Sequence, residues 1–451
     1  MMNQTANHKE SFVAQFEEGL PELPGMASPW VNAFRKNGID EFDSLGFPSS
    51  KLEAWKYTRL RPNEYKTFRR AKDLDGRANV AEVPSLLSAG EDGHRLVFVN
   101  GIVRQDLSRL ERLPDGVKVA AIQEVLNHNP EYIRPYLGCI GDPEGKPLMS
   151  LNTALMNSGV VIHVESGIRV GDPIQVIFIG GLTNDPISWY PRNLIVLEEG
   201  AEATLVQSNA GIGSSAYFTN AVTEIEVANA ANLRHYRVNT DNEYSTHLGS
   251  VHVKIGKDSN YEGFGLNIGG RLVRTEIFAR LEGEGGHCAL NGAYLLKGRE
   301  HCDNTTVIEH VVPNTTCSEI FKGVLDDASR GVFQGRIVVH KDAQGTNGHQ
   351  LSNALLLSNK AEMDAKPELE IYADDVKCSH GATTGQLDKT ALFYLCSRGI
   401  PNVEARILLI QSFIAAAFEE IKVEAVRESM LNLASVWLSA QCLPGPEGSE
   451  K

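Results

Sequence analysis

"AVTEIEVANAANLRHYRVNT", Ala221 to Thr240, holds two short β-rich runs on either side of a turn. The same texture continues in both directions, from about residue 150 to 385. "GVVIHVESG", "PIQVIFIGG", "RNLIVLEEG" and "EATLVQSNAG" precede it, and "SVHVKIGKD", "RTEIFARLEG", "GAYLLKG" and "TTVIEHVVP" follow it. Gly, Asn and Asp separate the runs, and no amphipathic helix interrupts them. Turn formers recur near Gly200, Asn229, Asp258, Gly285 and Asn314, at spacings of 29, 29, 27 and 29 residues. Each interval holds two strands. A constant repeat of that length without helices marks a solenoid of stacked β coils. A β-sandwich would use similar strands, but over so long a stretch it would have to be large or double. The constant repeat favours a β-helix.

The flanks read differently. In the N-terminal part, "SPWVNAFRKNGIDEFDSLGFP" opens with Ser28 as N-cap and Pro29 at the first helical position. "HRLVFVNGIVRQDLS", His94 to Ser108, reads as a hairpin turning at Asn100-Gly101. Beyond the solenoid, "DKTALFYLCSRGI" is a short helix stopped by Gly399 as a C′ glycine. Pro401 then opens a helix with Ile407, Ile410, Ile414, Ala417 and Ile421 along one stripe. Val423, Val426, Met430, Leu433 and Trp437 repeat the pattern in a second helix, and the tail "PGPEGSEK" reads as disordered. The expected organisation is a mainly β protein: an N-terminal α/β domain over 1–135, a β-helix core over 136–385 and a C-terminal helical domain over 386–451.

Composition narrows the function. The chain has 451 residues, 42% of them hydrophobic, enough for a soluble globular protein with a real core. It carries 57 acidic and 43 basic residues, a net charge of −14. Such a chain gains nothing from counterion release, which argues against nucleic acid as a partner. The N-terminus lacks the apolar core of a signal peptide. The longest nearly apolar run, Ile407 to Phe418, falls well short of the ~20 residues that span a bilayer. Seven cysteines, an odd number with no C-x-x-C, suggest neither a disulfide framework nor a four-cysteine zinc site. The expected setting is therefore reduced and cytoplasmic, without a membrane partner.

No phosphate-binding, dinucleotide, nucleophile-elbow or H-E-x-x-H motif occurs; "GDPEGKP", Gly141 to Pro147, has the wrong spacing for a P-loop. The chemistry-bearing stretch is "DDVKCSHGATTG", Asp374 to Gly385. On a strand, Cys378 and His380 share a face. A thiolate and an imidazole there make half of an iron or zinc site, and the remaining ligands would have to come from elsewhere. Two plainer readings stand beside it. Cys378 could be a small buried hydrophobe and His380 a turn residue, while a Cys–His nucleophile pair lacks an orienting third group. Asp374 and Asp375 read as a solvated strand end. In "HCDNTTVIEH", His301 and Cys302 are adjacent and so point to opposite faces, a structural pattern. Cys288 and Cys317 read as ordinary coil residues, and His349 has no assigned role. The apolar stripes of the C-terminal helices normally bury in their own domain, yet "ILLIQSFIAAAF" is apolar round most of its circumference, enough for part of it to meet another chain.

At "KPELEIYADDVKCSHGATTGQLDKTALFYLCSRGI", Lys366 to Ile400, the sequence resembles the SufB/SufD family of the SUF iron–sulfur cluster assembly system. "EAWKYT" (Glu53 to Thr58), "LVFVNG", "QLSNALLLS" and "ARILLIQSFIAAAF" carry the resemblance over nearly the whole chain. "KCSHGAT" is similar to the D-type version of this segment. The B-type has a His-Glu-Ala version and a key cysteine on the preceding strand, which here reads "GHQLSNALLLS" with none. The resemblance implies a right-handed parallel β-helix in a complex with SufB and two copies of the ATPase SufC. It implies that the C-terminal helices, including Arg398, Gly399, Ile400, Ile407, Ile410 and Ile414, dock one SufC, and that the last coils pair edge to edge with SufB. His380, and secondarily Cys378, would then contribute to a transient iron or iron–sulfur cluster shared with SufB, with none held tightly by the isolated chain. Whether the isolated chain forms a homodimer stays open. Cys396 departs from the family pattern and is given no role. The family reading makes the chain a non-catalytic assembly subunit. The competing class, a stand-alone β-helix carbohydrate-active enzyme, needs carboxylates repeating along an exposed β face, and none is evident.

Overall fold

The computed structural model describes residues 12–61, 65, 68–77 and 93–442; the tail "PGPEGSEK" lies outside them. From Val160 to Gly385 the chain winds as a β-solenoid of about eight turns. Successive strands alternate between two sheets, and each strand pairs in parallel with the one a full coil away. Tyr217–Val227, for example, lies beside Thr246–Ile255, and Asn232–Thr240 beside Asn260–Ile268. The 29-residue repeat is this coil.

One corner of the coil shows why turn formers recur. Gly200, Ala230, Asp258, Gly285, Asn314 and Gly345 all have φ between +51° and +75°. Their peptide N–H groups stack by donating to the next coil: Gly200 to Asn229 O at 2.9 Å, Asp258 to Glu284 O at 2.8 Å, Asn314 to Gln344 O at 2.8 Å. At the second coil the left-handed residue is Ala230, one beyond the expected Asn229. Asn229 acts through its side chain, whose Oδ1 accepts from the Lys257 N–H at 2.9 Å.

The lumen is filled by alternate residues of both sheets, among them Ile225, Val227, Leu233, Val253, Tyr261, Cys288 and Ile308. The N-terminal region seals the first end by continuing both sheets. Val117–Ala121 pairs antiparallel with Val160–Val164, and His94–Val99 pairs in parallel with Ile174–Gly181. The expected hairpin is present, with Phe98 opposite Val103 and both turn residues at positive φ, Asn100 at +52° and Gly101 at +80°. The buried Asn100 amide also bonds Asp75 O and Gly181 O, each at 2.9 Å. The helix Pro29–Leu45 begins where Ser28 and Pro29 predict. It lies against the helix Pro147–Leu155, where Arg35 donates to the Ala154 and Met156 carbonyls at 2.8 Å.

At the other end the helices Asn402–Phe418 and Glu424–Cys442 fold back along the outer face of the second sheet. Ile410, Ile414, Phe418, Val426, Met430 and Trp437 meet Val206, Tyr236, Val238, Phe264 and Leu295. No helix among the described residues is long and apolar enough to cross a membrane.

Candidate functional site

The solenoid ends open. Val376–Gly385, the last strand of the second sheet, pairs with Thr346–Leu356 on one side only, and Glu362–Ile371 in the first sheet pairs only with Arg330–Val339. Their outer N–H and C=O groups have no strand among the described residues to bond, the condition that invites another chain.

Register decides what this edge presents, because equivalent residues of parallel strands sit one strand spacing apart, about 4.8 Å. Cys378 pairs with Gly348, Gly348 with Cys317, and Cys317 with Cys288. Two residues on, His380 pairs with Gln350, Gln350 with Glu319, and Glu319 with Leu290. Cys288, Leu290 and Cys317 belong to the lumen core, so both ladders run along its wall and Cys378 and His380 form the last rung. They share a face, as their spacing predicts. Cys378 is half-buried against the core while His380 is exposed at the edge. Burial pushes the Cys378 thiol up, against a smaller pull from the Gly348 backbone, so in the chain alone it stands as a thiol.

Behind this rung lie groups whose part the sequence did not reveal. A Cβ at position 348 would come within 3.1 Å of Cys317 Sγ and 3.7 Å of Cys378 Sγ, so glycine leaves both sulfurs facing one gap. His310 Nε2 lies 3.2 Å from Cys317 Sγ, and its Nδ1 lies 2.7 Å from Thr315 Oγ1. Burial lowers His310 to about 4 and pushes Cys317 well up, leaving a neutral pair at neutral pH. Beneath His380, Gln350 Nε2 donates to Glu319 Oε2 at 2.6 Å. Glu319 is buried with no cation beside it among the described residues, and burial raises it to about 7. Residues 310 and 317 flank the turn "VVPNTT", which was the available signal that the two could meet.

Among the described residues no three His, Cys, Asp or Glu side chains gather to hold a metal ion. Cys378 and His380 therefore do not make a complete metal site with any third such side chain among the described residues. Asp374 and Asp375 are exposed, and the Asp375 N–H donates to Gln344 Oε1 at 2.9 Å, a turn role. His301 turns outward, 3.0 Å from Thr58 Oγ1, while Cys302 is buried inside. His349 is on the outer face, with Nδ1 2.7 Å from Ser379 Oγ.

"EAWKYT" acts as a clamp between the N-terminal region and several coils. Trp55 lies under the Arg274 guanidinium at 4.0 Å, Ala54 O accepts from Arg274 and Gln334, and Thr58 bonds Asp303. Glu53 reaches the edge strand itself, 2.8 Å from Lys366 Nζ.

Two residues expected on an ATPase-docking surface are corrected. Ile410 and Ile414 are 1% and 2% exposed, because the stripe they lie on packs against the chain's own sheet. Among the exposed apolar side chains of the C-terminal helices are Phe393 and Tyr394, 74% and 56% exposed, with Val403, Leu408 and Val436. Arg398 and Gly399 are exposed, Ile400 and Ile407 half-buried, and Arg398 donates to Tyr394 Oη at 3.0 Å. Carboxylates on the outside of the first sheet are tied to cations, as in Glu309 with Arg280 at 2.7 Å and Glu370 with Arg336 at 3.1 Å. That is a solvated charge ladder rather than a free acid pair.

Residues 180–413 match the family described as "SUF system FeS cluster assembly, SufBD core domain", and residues 6–176 match "SufBD protein N-terminal region". The chain belongs to the SufBD family. It is 32% identical over 402 residues to an iron–sulfur cluster assembly SufBD family protein of Synechocystis, covering 87% of this chain and 88% of that one. It is 29% identical over 425 residues to the iron–sulfur cluster assembly protein SufD of Escherichia coli, covering 92% and 97%. The SufD of Bacillus subtilis is 25% identical over 414 residues, covering 90% and 93%. Cys378, His380 and the clamp at Glu53 to Thr58 all fall within the matched regions.

Proposed function

We propose that this SufBD-family chain is a non-catalytic, D-type subunit of a cytoplasmic iron–sulfur assembly complex. Its open solenoid edge pairs with SufB, and the helices after Gly385 dock the ATPase SufC through the exposed Phe393, Tyr394, Arg398 and Leu408. The cargo is iron or a nascent cluster shared across the SufB junction, with His380 as the stronger ligand and Cys378 as the second. The observation that carries this reading is an unpaired β edge whose last lumen rung offers an imidazole and a thiol, an incomplete ligand set placed where another chain would complete it. In the absence of SufB, the same edge would accept a second copy of this chain.

The test is anaerobic reconstitution of the complex formed by this chain with SufB and SufC, carrying His380→Ala or Cys378→Ala. Cluster yield per complex should fall, more for His380, while co-purification of the three proteins is unchanged. Unchanged yield with intact assembly would reduce both residues to structural ones.

A further inference from the structure

The middle coils contain a second polar place, inside the lumen and away from the open edge. Along Asn232–Thr240 the lumen-facing residues are Leu233, His235, Arg237 and Asn239, alternating with outward ones. Arg237 borders a cavity of about 40 Å³ walled by the amides of Gln207, Asn209, Asn239, Asn267 and Asn304 and by Thr275. Its guanidinium makes no hydrogen bond or ion pair with any described residue, and its buried Nε is without a partner.

The fully buried arginines differ. Arg192 meets Glu224 at 2.5 Å, Arg274 meets Asp303 and Glu276, and Arg35 has three carbonyls at 2.8 Å. The carboxylate nearest in the chain, Asp241, is already engaged by Tyr217, Asn239 and His247. Arg237 as a whole is half-buried, but its Nε is sealed off without a partner, and a partly desolvated cation with no carboxylate beside it favours an anion as its neighbour.

The space is built by small residues. Arg237 pairs in register with Gly265, and Gly265 with Gly292. A Cβ on Gly265 would lie 3.5 Å from Arg237 Nη2, and one on Gly292 would meet Phe321 at 2.7 Å. Across the lumen Gly249 adds no side chain, and the Phe321 and Phe333 rings, 5.1 Å apart, close the hollow toward the open end. The result is a compartment with one unopposed cation and room for something little larger than a water molecule, walled by side-chain amides of which Asn239, Asn267 and Asn304 each already give one N–H to Asp241, Asn304 and Cys302 and have a second to offer.

We propose that this compartment holds one small monovalent inorganic anion of halide size, bound by the Arg237 guanidinium and the surrounding Asn and Gln amides. The anion compensates the guanidinium and ties together neighbouring coils of both sheets.

The probe is bromide. The full chain is purified and crystallised with bromide replacing chloride, and anomalous scattering is collected at the bromine edge. An anomalous peak within hydrogen-bond distance of the Arg237 guanidinium is expected. Arg237→Met should abolish it, and Gly265→Ala, which keeps the charge but narrows the hollow, should lower its occupancy. In solution the wild-type melting temperature should be higher in bromide than in gluconate at equal ionic strength, and Arg237→Met should lose that difference. No peak in the wild-type crystals, or a peak that survives Arg237→Met, would overturn the proposal. If Arg237→Met does not fold, the wild-type map and an undiminished peak in Gly265→Ala still decide against it.

Discussion

Replacing Glu319 by glutamine should stabilise the chain, and by an amount that grows with pH. The side chain is 1% exposed, accepts a hydrogen bond from Gln350, and has no cation beside it among the described residues, which is why burial raises it to about 7 from an ordinary 4.5. A carboxyl whose folded pKa is raised keeps its proton in the native state while the unfolded chain releases it. The native state therefore binds more protons between the two values, and stability falls as pH rises through that window. Below the lower value there is no penalty; above the upper one it is constant. With about 1.4 kcal/mol per pH unit, the penalty is on the order of 1 kcal/mol near pH 5.5 and on the order of 3 kcal/mol near pH 8.5. Glutamine has the same shape and no charge to bury. The stabilisation by Glu319→Gln should thus increase by about 2 kcal/mol between about pH 5.5 and about pH 8.5. Urea unfolding of wild type and variant at both values, followed by tryptophan fluorescence, measures it. A difference that stays flat, or that shrinks as pH rises, would show that Glu319 is not held protonated by the lumen and would refute the reasoning.

The C-terminal helices allow two contrasting tests. Ile414→Ala empties a site packed against the sheet and should cost about 2–5 kcal/mol of stability in urea unfolding; a cost near zero would mean that the helix does not depend on that contact. Phe393→Glu with Leu408→Glu changes only exposed side chains and should move stability by less than about 0.5 kcal/mol, while SufC no longer co-purifies. Retained SufC would place the docking surface elsewhere.

Much of the fold was legible because a solenoid repeats its punctuation. The recurring Gly, Asn and Asp mark a corner that needs left-handed backbone once per coil, and that need appears locally in sequence. The Asn100-Gly101 turn and the Ser28-Pro29 helix start were readable for the same reason. What could not be read was direction. The stripe of Ile410 and Ile414 is visible as a stripe, but its partner, the outer face of strands such as Asn260–Ile268, lies more than a hundred residues earlier.

The site divides along the same line. Cys378 and His380 share a face because side chains two apart on any strand do so, and no fold knowledge is needed. The Glu319–Gln350 pair and the unopposed Arg237 depend on which residues meet a coil away. A lumen position is defined only once the register is set, and a slip of one residue would carry every one of these groups to the outer face. With the register fixed, polar residues inside a tube of β coils cease to look like ordinary strand residues. Each must find a partner within the lumen, remain neutral, or draw one in from solution. Glu319 takes the second course and Arg237 is left with the third. At the open rung His380 has no coil above it, and under the proposed function a strand of another chain supplies the missing neighbour.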